Sequence, residues 1–277
     1  MSESMRTQNL LRSLLVYLVL AGLALLFVTP FAVAVLTSVK SPAELARILA
    51  LPSVLYLENY EVAINQVGRG FVNSLLITIP SVVFSLFIGA LAAYPLAQVR
   101  FRGDAMIYLF LLTGMFVPFQ IVLIPLFGMM LRIGLFDSIP GMWLVHTAYG
   151  IPICTFFLRN YFTTIPRALF EAALADGCSI AGYFFRILLP LSKGGLAALA
   201  ILQARSIWNE LLFALTLTTS RSTRPITVEL MTFMGAYDIA YGPLMAATLI
   251  SIIPVMLTFF VFQREFVSGI LGGGVKG

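Results

Sequence analysis

Residues Glu171 to Pro190 read EAALADGCSIAGYFFRILLP, a polar, helix-forming stretch inside a chain that is otherwise almost entirely apolar. Its punctuation is regular. Pro166, in Thr164-Ile165-Pro166 just upstream, suits a first helical position, where its missing N–H leaves no bond unmade. Arg167 to Asp176 holds only good or tolerable helix formers. Gly177 can take the left-handed conformation that ends a helix. Ser179 can cap a second helix from Ile180 to Leu189, and Pro190 marks the passage to the next apolar run. The stretch predicts helix, glycine corner, helix. Small Ala172, Ala173 and Ala175 allow close approach to another surface, and the carboxylates of Glu171 and Asp176 can pair with basic groups there. A helix lying on lipid headgroups would account for Phe184, Phe185 and Leu188. It would not account for a glycine corner behind an acidic, alanine-rich helix.

The surroundings of this insert belong in a bilayer. The chain has 277 residues, of which 60% are hydrophobic and 10% charged, and its mean hydropathy is +0.99. A soluble domain carries about 25% charged residues, so this chain has too few to cover a globule. The apolar run Leu14 to Leu36 has 23 residues, about 34 Å of helix at about 1.5 Å per residue. That is longer than a signal-peptide core and marks an uncleaved first crossing. Six crossings are expected, at about 14–39, 71–97, 105–131, 141–158, 196–217 and 241–262. Prolines 80 and 95 fall in the second, and Pro118 and Pro125 kink the third, which transmembrane helices tolerate. The polar insert spans 159–195, and a tail at 263–277 follows the last crossing. The fold class is an all-α integral membrane protein, a single transmembrane domain over 1–277.

The net charge of +5 does not call for nucleic acid. Six crossings put both termini on one side. That side carries ten Lys and Arg, the other six, and Arg205 lies inside the fifth crossing. The bias places the termini and the insert in the cytoplasm. His146, the only histidine, reads as a packed or pore-facing neutral side chain. Cys154 and Cys178 belong at different depths and do not suggest a disulfide, and no His/Cys cluster suggests a metal. There is no phosphate-cradling GxxxxGK[ST] loop, so the chain is not expected to hydrolyse ATP itself.

With these readings in place, the insert resembles the EAA loop of ATP-binding-cassette importer permeases. Glu171, Ala172, Ala173, Gly177, Ile187, Leu189 and Pro190 stand at that family's spacing. The resemblance covers nearly the whole chain and is to the carbohydrate-uptake permeases of the maltose-transporter type. Asn59-Tyr60, Phe71-Val72-Asn73-Ser74, Ala92-Ala93-Tyr94, Phe101-Arg102-Gly103, Val117-Pro118, Trp208-Asn209-Glu210 and Gly274-Val275-Lys276-Gly277 also fit it. One departure stands out. The family usually has small residues before the Trp-Asn pair, where this chain has Gln203-Ala204-Arg205-Ser206.

The resemblance implies a bacterial inner-membrane subunit of an ATP-driven importer working by alternating access. Its partners would be a second permease, two ATPase subunits and an extracytoplasmic solute-binding protein, all in membrane lipid and without nucleic acid. The chain itself would bind no cofactor, with ATP and Mg held on the ATPase subunits. Glu171, Ala172, Ala173, Asp176, Gly177, Ile187, Leu189 and Pro190 would couple to the ATPase. The tail residues Gly274, Val275, Lys276 and Gly277 would touch it. Three successive glycines from Gly272 also argue against a helix there, at about 1 kcal/mol each relative to Ala. Gln120, Tyr149, Trp208, Asn209 and Glu210 are candidates for the solute path, each with packing as the plainer role. The solute class implied is a sugar, oligosaccharide, polyol or glycoside. The competing class is an ion-coupled secondary transporter, for which Glu210 is the main intramembrane carboxylate; a membrane-embedded enzyme lacks any His/Asp/Glu constellation. Arg205 is expected to face the protein interior, a partner permease or the cytoplasmic membrane boundary rather than lipid. Glu210 is its partner by charge, although a spacing of five is poor for a helix-face pair.

Overall fold

The structure, a computed structural model, describes residues 2–99, 101–235 and 238–274, with side chains described between residues 12 and 260. The elements are helices: α1 (Ser2–Ser38), α2 (Glu58–Gln98), α3 (Asp104–Phe116), α4 (Phe119–Arg132), α5 (Ile139–Phe162), α6 (Arg167–Ala175), α7 (Ile180–Tyr183), α8 (Leu189–Leu191), α9 (Lys193–Trp208), α10 (Leu212–Leu217), α11 (Ile226–Leu230) and α12 (Tyr241–Gly274). Among the described residues the only β-type pairing is an isolated bridge between Met234 and Ile239. Backbone groups in hydrocarbon must be satisfied within their own segment, which is why an apolar chain of this kind is helical.

Among the described residues four helices are long and apolar enough to cross a membrane, and the number rises to six if each of two bent pairs is one span. The first bend has a local cause. Between α3 and α4 the chain turns by 95°. Pro118 forces Val117 into extended backbone (φ −75°, ψ 113°), so the expected kink is a full break. Pro125 sits within α4, and Pro80 and Pro95 within α2, without ending either helix. The expected fifth crossing is likewise interrupted, with α9 ending at Trp208 and α10 starting at Leu212. At the other end, α12 continues to Gly274, through the glycine triplet expected to stop it. Ser138 opens α5 by accepting the N–H of Gly141 at 3.1 Å.

The chain divides into two compact units, Met1–Gln66 with Thr232–Ile250, and Val67–Met231 with Ser251–Gly277. In the first, the polar stretch after α1 folds on a buried lysine. The Lys40 ammonium donates to the carbonyls of Arg47 (2.6 Å) and Ile48 (2.8 Å). Asn59 Nδ2 donates to the carbonyls of Ser38 (3.0 Å) and Lys40 (2.9 Å). Glu44 accepts from the side chain and backbone of Ser53 and then from Ser41, which lowers its pKa from 4.5 to about 2.

In the second unit, one apolar cluster gathers Ile77, Met130, Met142, Val145, Ile207, Phe213 and Leu217. Beside it, Asp137 ties the α4–α5 turn to the segment after α10. Its backbone is left-handed (φ 50°) and its carboxylate accepts from Thr219 N (2.8 Å), Ser220 N (3.1 Å) and the Thr223 hydroxyl. Burial would raise its pKa, but these donors outweigh it and hold the carboxyl below the usual range. Asn73 Nδ2 donates to Arg224 O (2.9 Å), and Ser74 Oγ accepts from Ile226 N (2.9 Å), fastening the same segment to α2.

Candidate functional site

The insert folds as helix, glycine corner, helix. Gly177 is left-handed at φ +81°. Its N–H reaches Leu174 O (3.0 Å), and the N–H of Cys178 reaches Ala173 O (2.9 Å). This paired closure is the Schellman arrangement, which satisfies the last carbonyls of α6. Ser179 then opens α7, its Oγ accepting from Gly182 N at 3.0 Å. Pro166 lies one position earlier than expected, as the residue before α6 rather than its first. Beyond α7 the chain passes through a π-turn at Phe184–Leu188 into α8 and then α9, bending by 75°.

One face of this element is anchored. Phe170, Ala173, Tyr183, Phe184 and Leu188 are buried against Ala90, Ala93 and Tyr94 of α2 and Leu158 and Phe162 of α5. The Tyr94 ring lies 6.1 Å from Tyr183, 5.3 Å from Phe184 and 6.4 Å from Phe170. Its hydroxyl donates to Ile180 O (3.0 Å), at the start of α7. Gln98 Nε2 donates to Phe162 O (2.9 Å), and Arg159 Nε to Leu96 O (3.3 Å), locking the ends of α2 and α5 together. A displacement of the corner therefore pushes on two long helices.

The other face is open. Glu171, Ala172, Leu174, Ala175, Asp176, Gly177 and Pro190 are exposed. Glu171 pairs with Arg167 at 3.0 Å, one helical turn away, with both side chains largely in solvent. The residues read together from the sequence thus separate. Ala173 faces inward rather than outward, and Ile187 and Leu189 pack half-buried against the cluster. The sequence reasoning missed Tyr94, Gln98, Phe170 and Tyr183 as anchors. The aromatic at Phe170, three before Ala173, was the available signal for an inward stripe.

The candidates for a solute path do not converge on one cavity. Trp208 is buried, donating its indole N–H to Ser251 O (3.1 Å) and meeting Phe71 edge-on at 5.6 Å. Tyr149 packs on Phe213 at 4.9 Å, as does buried His146 at 6.0 Å. Gln120 is exposed in the first turn of α4. Asn209 is exposed at the end of α9, its Nδ2 donating back to Arg205 O (2.8 Å). Glu210 does not answer Arg205. Its carboxylate accepts from Phe213 N (2.8 Å) and Ala214 N (3.2 Å), satisfying the open N-terminus of α10. Among the described residues no group of three or more His, Cys, Asp or Glu could hold a metal.

Long apolar helices and a glycine-cornered insert braced on α2 and α5 define a polytopic membrane protein. The chain belongs to the family described as the binding-protein-dependent transport system inner membrane component, whose model matches residues 81–271. It is 34% identical over 264 residues to an arabinooligosaccharides transport system permease protein of Halalkalibacterium halodurans, covering 93% of this chain and 94% of that one. It is 32% identical over 255 residues to a diacetylchitobiose uptake system permease protein of Streptomyces coelicolor, covering 90% and 84%. An osmoprotective compounds uptake permease protein of Synechocystis is 38% identical over 224 residues, covering 80% and 75%. Among solved structures, a chain of a bacterial ABC transporter involved in the import of the acidic polysaccharide alginate superposes with a TM-score of 0.81. It is 24% identical and covers 96% of this chain and 99% of that one, a likeness of fold.

Proposed function

We propose that this chain is the permease subunit of an ATP-driven importer that moves an oligosaccharide, glycoside or related polyol across the cytoplasmic membrane by alternating access. The observation that carries the reading is the two-faced insert, with Phe170, Tyr183 and Phe184 buried against α2 and α5 and Glu171, Ala172 and Asp176 exposed. An element anchored in the crossings and open on an acidic, small-residue face can transmit the closing of a separate ATPase pair. The relatives' names, which include uptake systems for arabinooligosaccharides and diacetylchitobiose, support the solute class.

In this scheme a second permease completes the path, two ATPase subunits hold ATP and Mg, and an extracytoplasmic binding protein delivers the solute. The chain supplies no ATPase chemistry. Both termini and the insert lie in the cytoplasm. Glu171, Ala172, Asp176 and Gly177 meet the ATPase, while Ala173, Ile187 and Leu189 support them from inside. The tail from Gly274 to Gly277 reaches the ATPase pair; Val275 to Gly277 lie outside the described residues. Glu210, the carboxylate an ion-coupled mechanism would need, is engaged by the backbone of α10. ATPase pull-down and uptake in reconstituted vesicles test the reading with Gly177→Asp. The expected result is a folded permease with weakened ATPase capture and little uptake; normal assembly and uptake would overturn the coupling role.

A further inference from the structure

We infer that Arg205 selects for an acidic solute, its guanidinium binding a carboxylate carried by the transported carbohydrate; this rests on the importer reading above. Arg205 lies twelve residues into α9 from Lys193, about 18 Å along the helix axis at about 1.5 Å per residue. That is beyond the midpoint of a hydrocarbon core about 30 Å thick. Its side chain is exposed and forms no ion pair among the described residues. A cation at such a depth costs about 2.5–3.5 kcal/mol on insertion scales, so it faces a polar path or a charged partner rather than lipid. The carboxylate nearest in sequence, Glu210, is spent on the N–H groups of Phe213 and Ala214. Among the described residues no carboxylate answers this charge, which points to a counter-charge carried by another molecule.

The surroundings of Arg205 fit a sugar acid. On one side it borders an open groove of about 510 Å³ shared with Ser206, Asn209 and Ser251, within the range of about 300–1,000 Å³ common for small-molecule sites. On the other side it borders an apolar recess lined by Ile201, Pro254, Val255 and Phe259. A guanidinium offers a planar fork of donors that matches a carboxylate in bidentate fashion. The Ser206 hydroxyl and the Asn209 amide can serve sugar hydroxyls, and the recess can take the C–H face of a ring. The groove lies at the C-terminal end of α9, which stops at Trp208, four residues before α10 begins at Leu212.

The test uses the complete importer, with second permease, ATPase and binding protein, reconstituted in vesicles. It is offered a mixture of galacturonate di- and trisaccharides and their neutral galactose counterparts, with ATP-dependent uptake read by mass spectrometry. The wild type is expected to import the acidic probes. Arg205→Gln should lower their uptake about tenfold or more, the loss of one charged contact. Arg205→Lys should give an intermediate value, and neutral uptake should change less than about twofold, in line with a purely local loss. Wild-type uptake of neutral probes alone would overturn the inference while leaving the importer reading intact. An equal fall for both probe classes, with loss of the second permease on purification of Arg205→Gln and recovery in Arg205→Lys, would place the counter-charge on the partner subunit and also overturn it. ATP-dependent uptake of neither probe class by the wild type would overturn the inference, while the importer reading is decided separately by the Gly177→Asp experiment above.

Discussion

Gly177 shows how much one residue decides. Its φ of +81° is open to glycine, and a Cβ added there would meet no atom within 4 Å. A substitution is therefore penalised by backbone conformation alone. Gly177→Val should cost about 1–2 kcal/mol, the price of left-handed backbone for an L-residue, and Gly177→Asn less, because Asn tolerates that region. Thermal unfolding of the purified permease in detergent checks the order; equal losses for both variants would mean the corner tolerates another geometry. Glu171 presents the opposite case. Its pair with Arg167 is exposed, and an exposed pair of this spacing is worth about 0.3–0.5 kcal/mol. Glu171→Lys should thus leave the melting temperature almost unmoved while ATPase co-purification falls. Intact co-purification would take Glu171 out of the docking surface.

Among the elements, the insert depends on α2 through Tyr94, whose hydroxyl bonds Ile180 O at 3.0 Å. Tyr94→Phe keeps the ring packing and removes that bond, at a cost of about 0.5–1.5 kcal/mol. The expected phenotype is retained ATPase binding with fewer solute molecules moved per ATP, read from uptake and ATP turnover in the same vesicles. An unchanged ratio would show that ring packing alone carries the linkage. The segment around Glu44 responds to acid. Its folded pKa is depressed from 4.5 to about 2, so its contribution is present above 4.5 and lost as pH falls towards about 2. Hydrogen exchange across residues 41–53 should quicken between pH 6 and pH 3 beyond the intrinsic change, on the order of a severalfold loss of protection. Glu44→Gln should show the quicker pattern at both values.

For the molecule as a whole, the proposed coupling to the ATPase pair extends beyond the insert. The tail after the last crossing is the second candidate, with α12 carrying the backbone as far as Gly274. Deleting residues 272–277 should preserve insertion and pairing with the second permease but lower the ATPase stimulation by loaded binding protein. ATP turnover with and without that protein measures it, and an unchanged stimulation ratio would remove the tail from the mechanism. Much of this architecture was legible in the sequence, because hydropathy and breakers act locally. Long apolar runs must be helical in hydrocarbon, Gly177 must turn, and Ser179 must cap, whatever surrounds them. Packing was not legible. That Ala173 turns inward while Ala172 stays exposed depends on where Phe170 and Tyr94 meet. That Pro118 breaks its crossing while Pro80, Pro95 and Pro125 stay within helices could not be told from the prolines alone. That Glu210 caps α10 instead of pairing with Arg205 depends on the helix breaking at Asn209, which exposes N–H groups nearer to the carboxylate than the guanidinium is. Local propensity reads along the chain, whereas which face of the insert turns inward is settled by α2 and α5, distant in sequence, and which partner Glu210 takes is settled by where the backbone breaks; only the tertiary structure shows both.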